Sequence, residues 1–338
     1  MKKVAVVLLN FNGLSLLKKY LPSVSAFSPQ AALYLIDNGS SDASVAWVTA
    51  QYPKIKCISL SKNQGYAGGY NEGLQHINEE IYCLLNTDVR VKEHWLVPIL
   101  NHFDTNPKTA IAQPHILDDK NPNAFEYAGA AGGVLDRLGI PFCRGRIFSS
   151  IEEDQGQYDA TLAVFWASGA CFFIRKSVFW ELGGFDARFF AHQEEIDLCW
   201  RAFNKGHATV AIGESKVYHL GGGTLQPSPK KVFLNYRNSL CMLYKNLPEK
   251  VKTKVLFERM LWDGLAGLHF LIQFQFLNTW AIIRAHIAFY ALLESLKNDP
   301  IKGDKKLDYY HSVNVIAAFY FFRRLNFRDI VKNKNKFS

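Results

Sequence analysis

The stretch Ile81-Tyr82-Cys83-Leu84-Leu85-Asn86-Thr87-Asp88 passes from five apolar residues directly into three polar ones. A short uninterrupted apolar run is typical of a strand buried on both faces of a sheet. In open α/β sheets ligands bind outside the carboxyl ends of the strands, so Asp88 would lie where a metal ion and a diphosphate bind. Asn and Asp also begin turns through local hydrogen bonds, and the triplet alone fits either interpretation.

Three earlier apolar runs end in the same way, each followed by polar or glycine-rich residues and a helical pattern; they cover residues 3–9, 32–36 and 55–60. The first run leads into Asn10 and the second into Asp37. The third leads into residues 63–73, whose glycines allow the backbone to approach a ligand closely. This alternation predicts an α/β fold with a mainly parallel central sheet, in which the polar strand ends share one edge.

The composition limits the class of protein. A chain of 338 residues that is 49% hydrophobic can bury a large core, and we expect one catalytic domain with an appendage. The six cysteines form no CxxC pair, which predicts neither a zinc site nor a disulfide framework and fits a reducing cytosol.

The formal charge of +9 is concentrated at the C-terminal end. Residues 1–229 contain 20 Lys and Arg against 22 Asp and Glu, whereas residues 230–338 contain 19 against 8. Long apolar stretches interrupt these basic residues, which favours an anionic membrane surface over nucleic acid as the partner. Residues 264–283 lack charged side chains and are predicted to form an interfacial helix. A membrane-spanning helix, a buried helical subdomain and contact with a second copy of the chain are the alternatives.

In their order and spacing, these motifs resemble those of the family-2 glycosyltransferases of the GT-A fold, in particular the rhamnosyltransferase-like members that build bacterial surface polysaccharides. The resemblance covers roughly residues 3–245 and rests on residues 6–13, 37–42, 63–73, 85–89, 168–170, 183–186, 194–201 and 219–224. It implies a catalytic domain over residues 1–229, with a nucleotide-binding half at about 1–115 and an acceptor-binding half at about 116–229. Residues 230–338 would form a basic amphipathic helical region that associates with a membrane or with a second copy.

The resemblance also implies an activity. The protein would transfer a sugar, with inversion, from a nucleotide-diphosphate donor such as dTDP-rhamnose or a UDP-hexose. The acceptor would be a saccharide, expected to be lipid-linked, in cell-surface polysaccharide synthesis. The enzyme would be cytoplasmic, and its basic apolar tail would bring the active site to the inner face of the plasma membrane, where the protein would bind peripherally.

A divalent cation, Mg²⁺ or Mn²⁺, would balance the charge of the departing diphosphate. The resemblance places Asp88 at the last residue of the family's DxD motif, with Asn86 where the first carboxylate usually stands. It places a metal or phosphate contact at His219, which precedes the glycines of residues 221–223. A structural histidine is the alternative interpretation.

The resemblance implies further donor-binding residues. Asp37 would bind the nucleotide base or ribose, although an Asp that only forms a turn is the alternative. Ser168 and Gly169 match the segment that lines the donor-sugar pocket, where a bulge in a core strand is equally ordinary. Arg237 would add positive charge near the diphosphate, or it would be a helix arginine facing solvent. The remaining predicted members of the nucleotide pocket are Asn10, Asn63 and Gly65.

The acceptor hydroxyl must lose a proton, which calls for a carboxylate base in a partly enclosed site. Family members usually carry Glu-Asp where this chain has Glu194 and Glu195, so the resemblance implies that Glu195 is the base. Both carboxylates could instead complement a helix N-terminus. Asp197 could form an ion pair with Arg201, four residues further on.

Two other classes of protein remain open at this point. A nucleotidyltransferase could use a related sheet and the same cation, but a glycine- and arginine-rich phosphate loop is expected at its start, where this chain has Leu9-Asn10-Phe11-Asn12-Gly13. A non-catalytic nucleic-acid-binding protein would explain the net charge. It would not explain why carboxylates stand at the ends of predicted elements.

Overall fold

The computed structural model describes residues 3–221, 228–298 and 305–331. The strands of the described residues are β1 (Val4–Asn10), β2 (Ala31–Asp37), β3 (Lys56–Ser59), β4 (Ile81–Leu85), β5 (Val89–Val91), β6 (Thr109–Asp118), β7 (Gly133–Leu135), β8 (Pro141–Cys143), β9 (Arg146–Ile147), β10 (Ser150–Ile151), β11 (Leu162–Val164), β12 (Cys171–Arg175) and β13 (Ala208–His219).

The α-helices surround these strands and form most of the C-terminal region. They are α1 (Leu14–Phe27), α2 (Ser44–Gln51), α3 (Gly65–Gly73), α4 (Leu96–Thr105), α5 (Lys176–Glu181), α6 (Glu194–Lys205), α7 (Pro229–Asn246), α8 (Glu249–Ile272), α9 (Phe276–Lys297), α10 (Val315–Tyr320) and α11 (Phe327–Ile330). Two short 3-10 helices cover Leu74–His76 and Ala187–Phe189.

The central sheet has nine strands, eight of them in the order β11-β13-β6-β12-β4-β1-β2-β3, and β5 pairs with β13. β1 pairs in parallel with β2 and β4, and β2 with β3, which is the predicted arrangement of the N-terminal half. β12 then runs antiparallel to both of its neighbours, and β13 is parallel to β6. The α/β class is therefore confirmed, and its parallel half is extended into a mixed sheet.

A second, four-stranded antiparallel sheet has the order β10-β9-β8-β7. It lies between β6 and β12 along the chain, in a region where the sequence shows polar and glycine-rich stretches typical of loops. Its strands have two or three residues each, too few for a periodic pattern to emerge.

Apolar side chains pack on both faces of the central sheet. Along β1, Val4, Val6 and Leu8 enter one core and Ala5 and Val7 enter the other, as the two-residue period of a strand requires. The second of these cores also contains residues of the C-terminal helices, among them Leu240, Val255, Phe289 and Val315. The C-terminal region therefore packs against the same apolar interior as the sheet.

The predicted interfacial helix over residues 264–283 is wrong as a single helix. α8 ends at Ile272, and the chain turns through residues 273–275 before α9 begins at Phe276. Phe274 lies in the left-handed region with φ of +58° and is 80% exposed, so the turn forms the tip of a helical hairpin. By length and composition α9 could cross a membrane, and 22% of its apolar window is buried within the protein.

Candidate active site

Polar strand ends meet at one edge of the central sheet. Asn10 at the end of β1 is in register with Asp37 at the end of β2, and Leu8 is in register with Leu85, which precedes Asn86. β12 runs in the opposite direction and begins at the same edge. The backbone N–H of Asn86 donates to the carbonyl of Ala170, just before β12, at 3.0 Å.

Asn10 and Asp37 form a buried hydrogen-bonded pair at this edge. Asn10 Nδ2 donates to Asp37 Oδ1 at 3.0 Å, and also to the hydroxyls of Ser40 and Ser44. Asp37 Oδ2 accepts from the backbone N–H of Ser40 at 3.0 Å. These bonds fix the carboxylate of Asp37 at a strand end, where it can accept from hydroxyl or amide donors of a ligand.

Asn63 and Gly65 lie beside this pair, at the start of α3. Asn63 Oδ1 accepts from the backbone N–H of Gly65 at 2.8 Å and from Asn38 Nδ2 at 3.2 Å. Gly65 has φ of +73°, and a Cβ there would lie 2.5 Å from the carbonyl oxygen of Phe190. The glycine-rich segment therefore lets α3 approach the loop that precedes α6.

Asp88 and His219 come together at the same sheet edge. His219 ends β13 and is in register with Val89 of β5, directly after Asp88. His219 Nε2 lies 3.1 Å from Asp88 Oδ1, and on the other side of the ring Nδ1 lies 3.2 Å from Glu126 Oε2. Burial alone would lower the pKa of His219, but the carboxylates of Asp88 and Glu126 more than offset this and raise it to about 10.

These residues fit a divalent cation. Asp88 is fully buried, and neither of its carboxylate oxygens accepts a well-directed hydrogen bond from the described residues. An octahedral ion with ligand distances of about 2.1 Å holds adjacent ligand atoms about 3 Å apart, close to the separation of Asp88 Oδ1 and His219 Nε2. The carboxylate of Glu126 beside Nδ1 would fix the orientation of the His219 ring and leave Nε2 free to bind the ion. Carboxylates often hold metal-binding histidines in this way.

A second group of potential metal ligands is already neutralised by a lysine. Ligand atoms of His115, Asp154 and Asp159 lie within 4.8 Å of one another. Lys216 Nζ lies 2.6 Å from Asp154 Oδ2 and 3.3 Å from Asp159 Oδ1. The ammonium group of Lys216 therefore takes the place of a metal ion beside Asp154 and Asp159. These three potential ligands also lack the exposed strand end that a diphosphate would need.

Glu194 and Glu195 form the first turn of α6. Glu194 is buried, and desolvation together with the charge of Glu195 raises its pKa well above the ordinary value. Desolvation raises the pKa of Glu195 to about 7, although the backbone N–H groups of the helix start oppose this shift. A carboxylate with a pKa near neutrality can accept a proton at physiological pH.

Tyr66 connects the acidic pair to the rest of the site. Its hydroxyl donates to the carbonyl of Gly169 at 2.9 Å, and its backbone N–H donates to the carbonyl of Phe190 at 2.7 Å. A Cβ on Gly169 would lie 3.1 Å from the Tyr66 hydroxyl and 3.8 Å from Glu195 Cδ. Gly169 therefore leaves space between β12 and Glu195.

Two predicted donor-binding side chains make other contacts in this structure. The hydroxyl of Ser168 donates to the carbonyl of Ala128 and accepts from the N–H of Ala170 at 3.2 Å, so it braces the start of β12. Arg237 donates from Nη2 to the carbonyls of Arg188 and Phe189, at 2.9 and 3.1 Å. It is half-buried and does not face solvent as a free helix arginine would.

The predicted ion pair in α6 is present, since Arg201 Nε donates to Asp197 Oδ2 at 2.8 Å. Of the glycines that follow His219, Gly221 has φ of +64°, while Gly222 and Gly223 lie outside the described residues.

The sequence interpretation missed three residues of this site. Glu126 lies in an irregular segment between the two sheets, and no local pattern links it to His219. Asn38 follows the predicted strand that ends at Asp37, and its side chain could have been included on that ground. Tyr66 lies in the glycine-rich segment of residues 63–73, and its position as an aromatic residue among four glycines is the sequence signal that could have indicated it.

The family model described as "Glycosyl transferase family 2" matches residues 5–183, more than half of the chain. The chain is 24% identical over 218 residues to an N-acetylglucosaminyl-diphospho-decaprenol L-rhamnosyltransferase of Mycobacterium tuberculosis, covering 60% of this chain and 71% of that protein. It is 25% identical to the low-salt glycan biosynthesis hexosyltransferase Agl10 of Haloferax volcanii, covering 70% of this chain and 73% of that protein.

Solved structures share the fold. GalNAc-T7 with UDP, GalNAc and Mn²⁺ aligns with a TM-score of 0.57 at 17% identity, covering 74% of this chain and 49% of that one. Staphylococcus aureus TarS 1-349 with UDP-GlcNAc aligns with a TM-score of 0.52 at 13% identity, covering 76% and 71%. The GT-A fold is thereby established for the sheet and its flanking helices, and the family-model match shows that this chain belongs to glycosyl transferase family 2.

Proposed function

We propose that this glycosyltransferase moves a sugar, with inversion, from a nucleotide-diphosphate donor to a saccharide carried on a lipid at a membrane surface. The observation that carries the proposal is the pairing of Asp88 Oδ1 with His219 Nε2 at 3.1 Å, on the sheet edge that also carries Asp37. A divalent cation bound there would neutralise the charge that develops on the departing diphosphate.

The residues of the chain divide the remaining chemistry. Asp37 and Asn63 would hold the nucleoside, and the start of α3 at Gly65 would face the diphosphate. Ionised Glu195 would accept the proton of the acceptor hydroxyl as its oxygen bonds to the anomeric carbon. The bond from that carbon to the diphosphate breaks in the same displacement, and the nucleoside diphosphate leaves.

The donor is proposed to be dTDP-rhamnose or a UDP-hexose. A rhamnosyltransferase among the relatives favours the first, and two aligned structures that hold UDP or UDP-GlcNAc favour the second. Thermal-shift ranking of dTDP, UDP, GDP and ADP, each with Mn²⁺, Mg²⁺ or EDTA, tests the base and the cation together. A protein that no nucleoside diphosphate stabilises with either cation would contradict the proposed site.

The acceptor is proposed to be lipid-linked because the name of the mycobacterial relative specifies a polyprenyl-diphosphate acceptor. NMR of the product formed on a polyprenyl-diphosphate saccharide tests both the acceptor and the stereochemistry. An anomeric configuration retained from the donor would refute the single displacement.

The α8–α9 hairpin supplies a surface suited to a membrane. The end of the hairpin, residues 264–283, consists of the turn and the adjoining turns of both helices and contains no Asp, Glu, Lys or Arg. Nine large apolar residues of this end of the hairpin are exposed: Leu265, Leu268, Leu271, Ile272, Phe274, Phe276, Leu277, Trp280 and Ile283. Basic residues elsewhere in the C-terminal region would attract an anionic lipid surface while this end enters the interface. We therefore propose peripheral binding at the cytoplasmic face of the plasma membrane.

Serine substitution of Phe274, Leu277 and Trp280 together tests the surface without removing core residues. We expect the triple variant to lose co-sedimentation with phosphatidylglycerol vesicles while keeping the unfolding temperature of the wild type. Matched serine substitutions at exposed Val97 and Ile151 should leave binding unchanged. If the triple variant still binds vesicles fully but changes from dimer to monomer in sedimentation velocity, the hairpin contacts a second copy and the membrane proposal fails.

A further inference from the structure

The loop before the acidic pair has an unusual backbone. Phe190, His192 and Gln193 have φ of +64°, +71° and +72°, values in which non-glycine residues are uncommon. Such conformations are unfavourable for residues that carry a Cβ, and they persist where the surrounding structure over-determines them. Since Glu194 and Glu195 follow directly, the direction in which α6 starts depends on what holds this loop.

α7 holds the loop through one side chain in particular. Asn238 is fully buried, and its Nδ2 donates to three loop carbonyls: to Phe189 at 3.0 Å, Ala191 at 2.9 Å and His192 at 2.7 Å. Turning the carbonyls of Phe189, Ala191 and His192 toward one amide group requires the backbone to leave its ordinary conformation. The positive φ angles of the loop therefore go together with its hydrogen bonds to Asn238.

Arg237 completes this contact from the neighbouring position of α7. Its Nη2 donates to the carbonyls of Arg188 and Phe189, and its Nε and Nη2 donate to Asn238 Oδ1 at 2.9 and 2.7 Å. The guanidinium thus orients the amide so that its N–H groups face the loop. Lys245, two turns further along α7, donates to Asp186 and Asp197 at the two ends of the same segment, at 2.6 and 3.0 Å.

The loop is held from its other side by the nucleotide half. The carbonyl of Phe190 accepts from the N–H groups of Tyr66 and Ala67 in the first turn of α3, at 2.7 and 3.3 Å. The loop thus lies between α3, which begins at the glycine-rich segment, and α7, which belongs to the C-terminal region. A shift of the loop would move the acidic pair relative to the sheet edge.

We propose that Arg237 and Asn238 are positioning residues, which fix loop 188–193 so that the carboxylate of Glu195 is aimed at the acceptor hydroxyl. This inference rests on the proposed function of Glu195 as the base. Arg237 would then hold the loop, instead of contacting the diphosphate as the sequence suggested. The C-terminal region would also be necessary for proton transfer.

The variant Asn238→Asp tests the inference because it preserves size and the contact with Arg237 but places an acceptor oxygen against three carbonyls. In the full-length protein we expect kcat for sugar transfer to fall about 100-fold, as misplacement by about 1 Å does, with the nucleoside diphosphate Kd within threefold of wild type. Hydrogen exchange at the amides of Tyr66 and Ala67 should accelerate, because their acceptor moves. Ser239→Ala, buried on the same helix, is the matched control and should retain both properties.

Arg237→Lys provides a second variant if Asn238→Asp does not fold. A lysine keeps the charge but loses the planar fork, and kcat should fall about tenfold with Kd unchanged. A kcat within threefold of wild type in a folded variant would overturn the positioning role. So would a loss of kcat without faster exchange at Tyr66 and Ala67.

Glu195→Gln separates this inference from the proposed function. If Glu195→Gln abolishes transfer and Asn238→Asp does not, the base assignment stands and the positioning role is refuted. If Glu195→Gln transfers sugar at the wild-type rate, the base assignment is wrong, and the positioning of Glu195 falls with it. Exchange at Tyr66 and Ala67 would then report only whether α7 holds the loop.

Discussion

At the scale of single residues, the His219 ring lies between the carboxylates of Asp88 and Glu126 and carries a proton at neutral pH because its pKa is about 10. A cation that binds to Nε2 must displace a proton, so metal affinity depends on pH. Without a bound metal ion, the protonated His219 ring carries the positive charge that the cation would otherwise provide. This explains how the carboxylates of Asp88 and Glu126 can be buried on either side of the ring.

We predict that Mn²⁺ binds more tightly as pH rises from 6 to 9, with a proton released for each ion bound. Calorimetry in buffers of different ionisation enthalpy measures the release. His219→Ala should remove both the proton release and most of the affinity, while Glu126→Gln should weaken binding by about 10–100-fold, as the loss of an outer partner does. Affinity that is independent of pH would show that His219 is not a ligand.

The acidic pair leads to a pH prediction with a definite sign. Glu195 must be ionised to accept a proton, and its pKa is about 7, so kcat should rise with pH and reach half its maximum near pH 7. Glu195→Gln should lower kcat by about 10²–10⁴-fold. A flat kcat profile between pH 5.5 and 8.5, with chemistry rate-limiting, would argue against Glu195 as the base.

The same pKa predicts a gain in stability when the carboxylate is removed. A folded-state pKa raised from 4.5 to about 7 means that the stabilising contribution of Glu195 is complete below pH 4.5 and lost as pH rises through 7. Glu195→Gln should therefore unfold at a higher temperature than wild type at pH 8, and the difference should shrink at pH 5. Differential scanning calorimetry at both pH values measures it, and equal curves at pH 8 would contradict the burial argument.

At the scale of elements, the sequence predicts best where a strand is buried and ends abruptly. β1, β2 and β4 follow from apolar runs that stop at Asn10, Asp37 and Asn86. By contrast, the strand that leads to His219, β13, changes its register with β6 between Ile212 and Lys216. An irregularity of that kind depends on the partner strand and leaves no periodic signal in the segment itself.

Contacts between segments that are distant in sequence were also not predictable, because they depend on how other elements pack. Glu126 faces His219, and Asn238 faces the loop before α6, only because β6, β13 and α7 are packed in their final places. Single residues in irregular segments carry no pattern that would indicate such a partner. The sequence therefore predicts the residues at strand ends, and the residues that orient them emerge only from the structure.

Two glycines provide a matched pair of substitutions. Gly65→Ala puts a Cβ at a φ of +73° and 2.5 Å from the Phe190 carbonyl, so it should destabilise the protein by about 1–3 kcal/mol and weaken nucleotide binding. Gly264→Ala in α8 meets nothing within 4 Å and should stabilise the helix by about 0.5–1 kcal/mol. Urea unfolding measures the change in the free energy of unfolding for both variants. Equal changes would mean that the close contact between α3 and the loop before α6 does not constrain Gly65.

At the scale of the whole molecule, the C-terminal helices share an apolar core with the sheet. We predict that a chain ending at residue 228 exposes this core and aggregates or unfolds near room temperature, whereas the full chain unfolds in one cooperative transition. Calorimetry and sedimentation of the two proteins test this. A stable, monomeric 1–228 fragment with wild-type nucleotide affinity would show that residues 1–229 form an independent domain.

The proposed transfer requires several side chains, distant in sequence, to act around one diphosphate and its cation. Acceptor-dependent release of nucleoside diphosphate from the sugar nucleotide that the wild type uses, with Mn²⁺ present, measures this directly. We predict that Asp88→Asn and Glu195→Gln each lower the rate at least about 100-fold while both proteins stay folded. A folded wild-type protein that releases no nucleoside diphosphate from any donor of a broad panel, or either variant acting at the wild-type rate, would contradict the account.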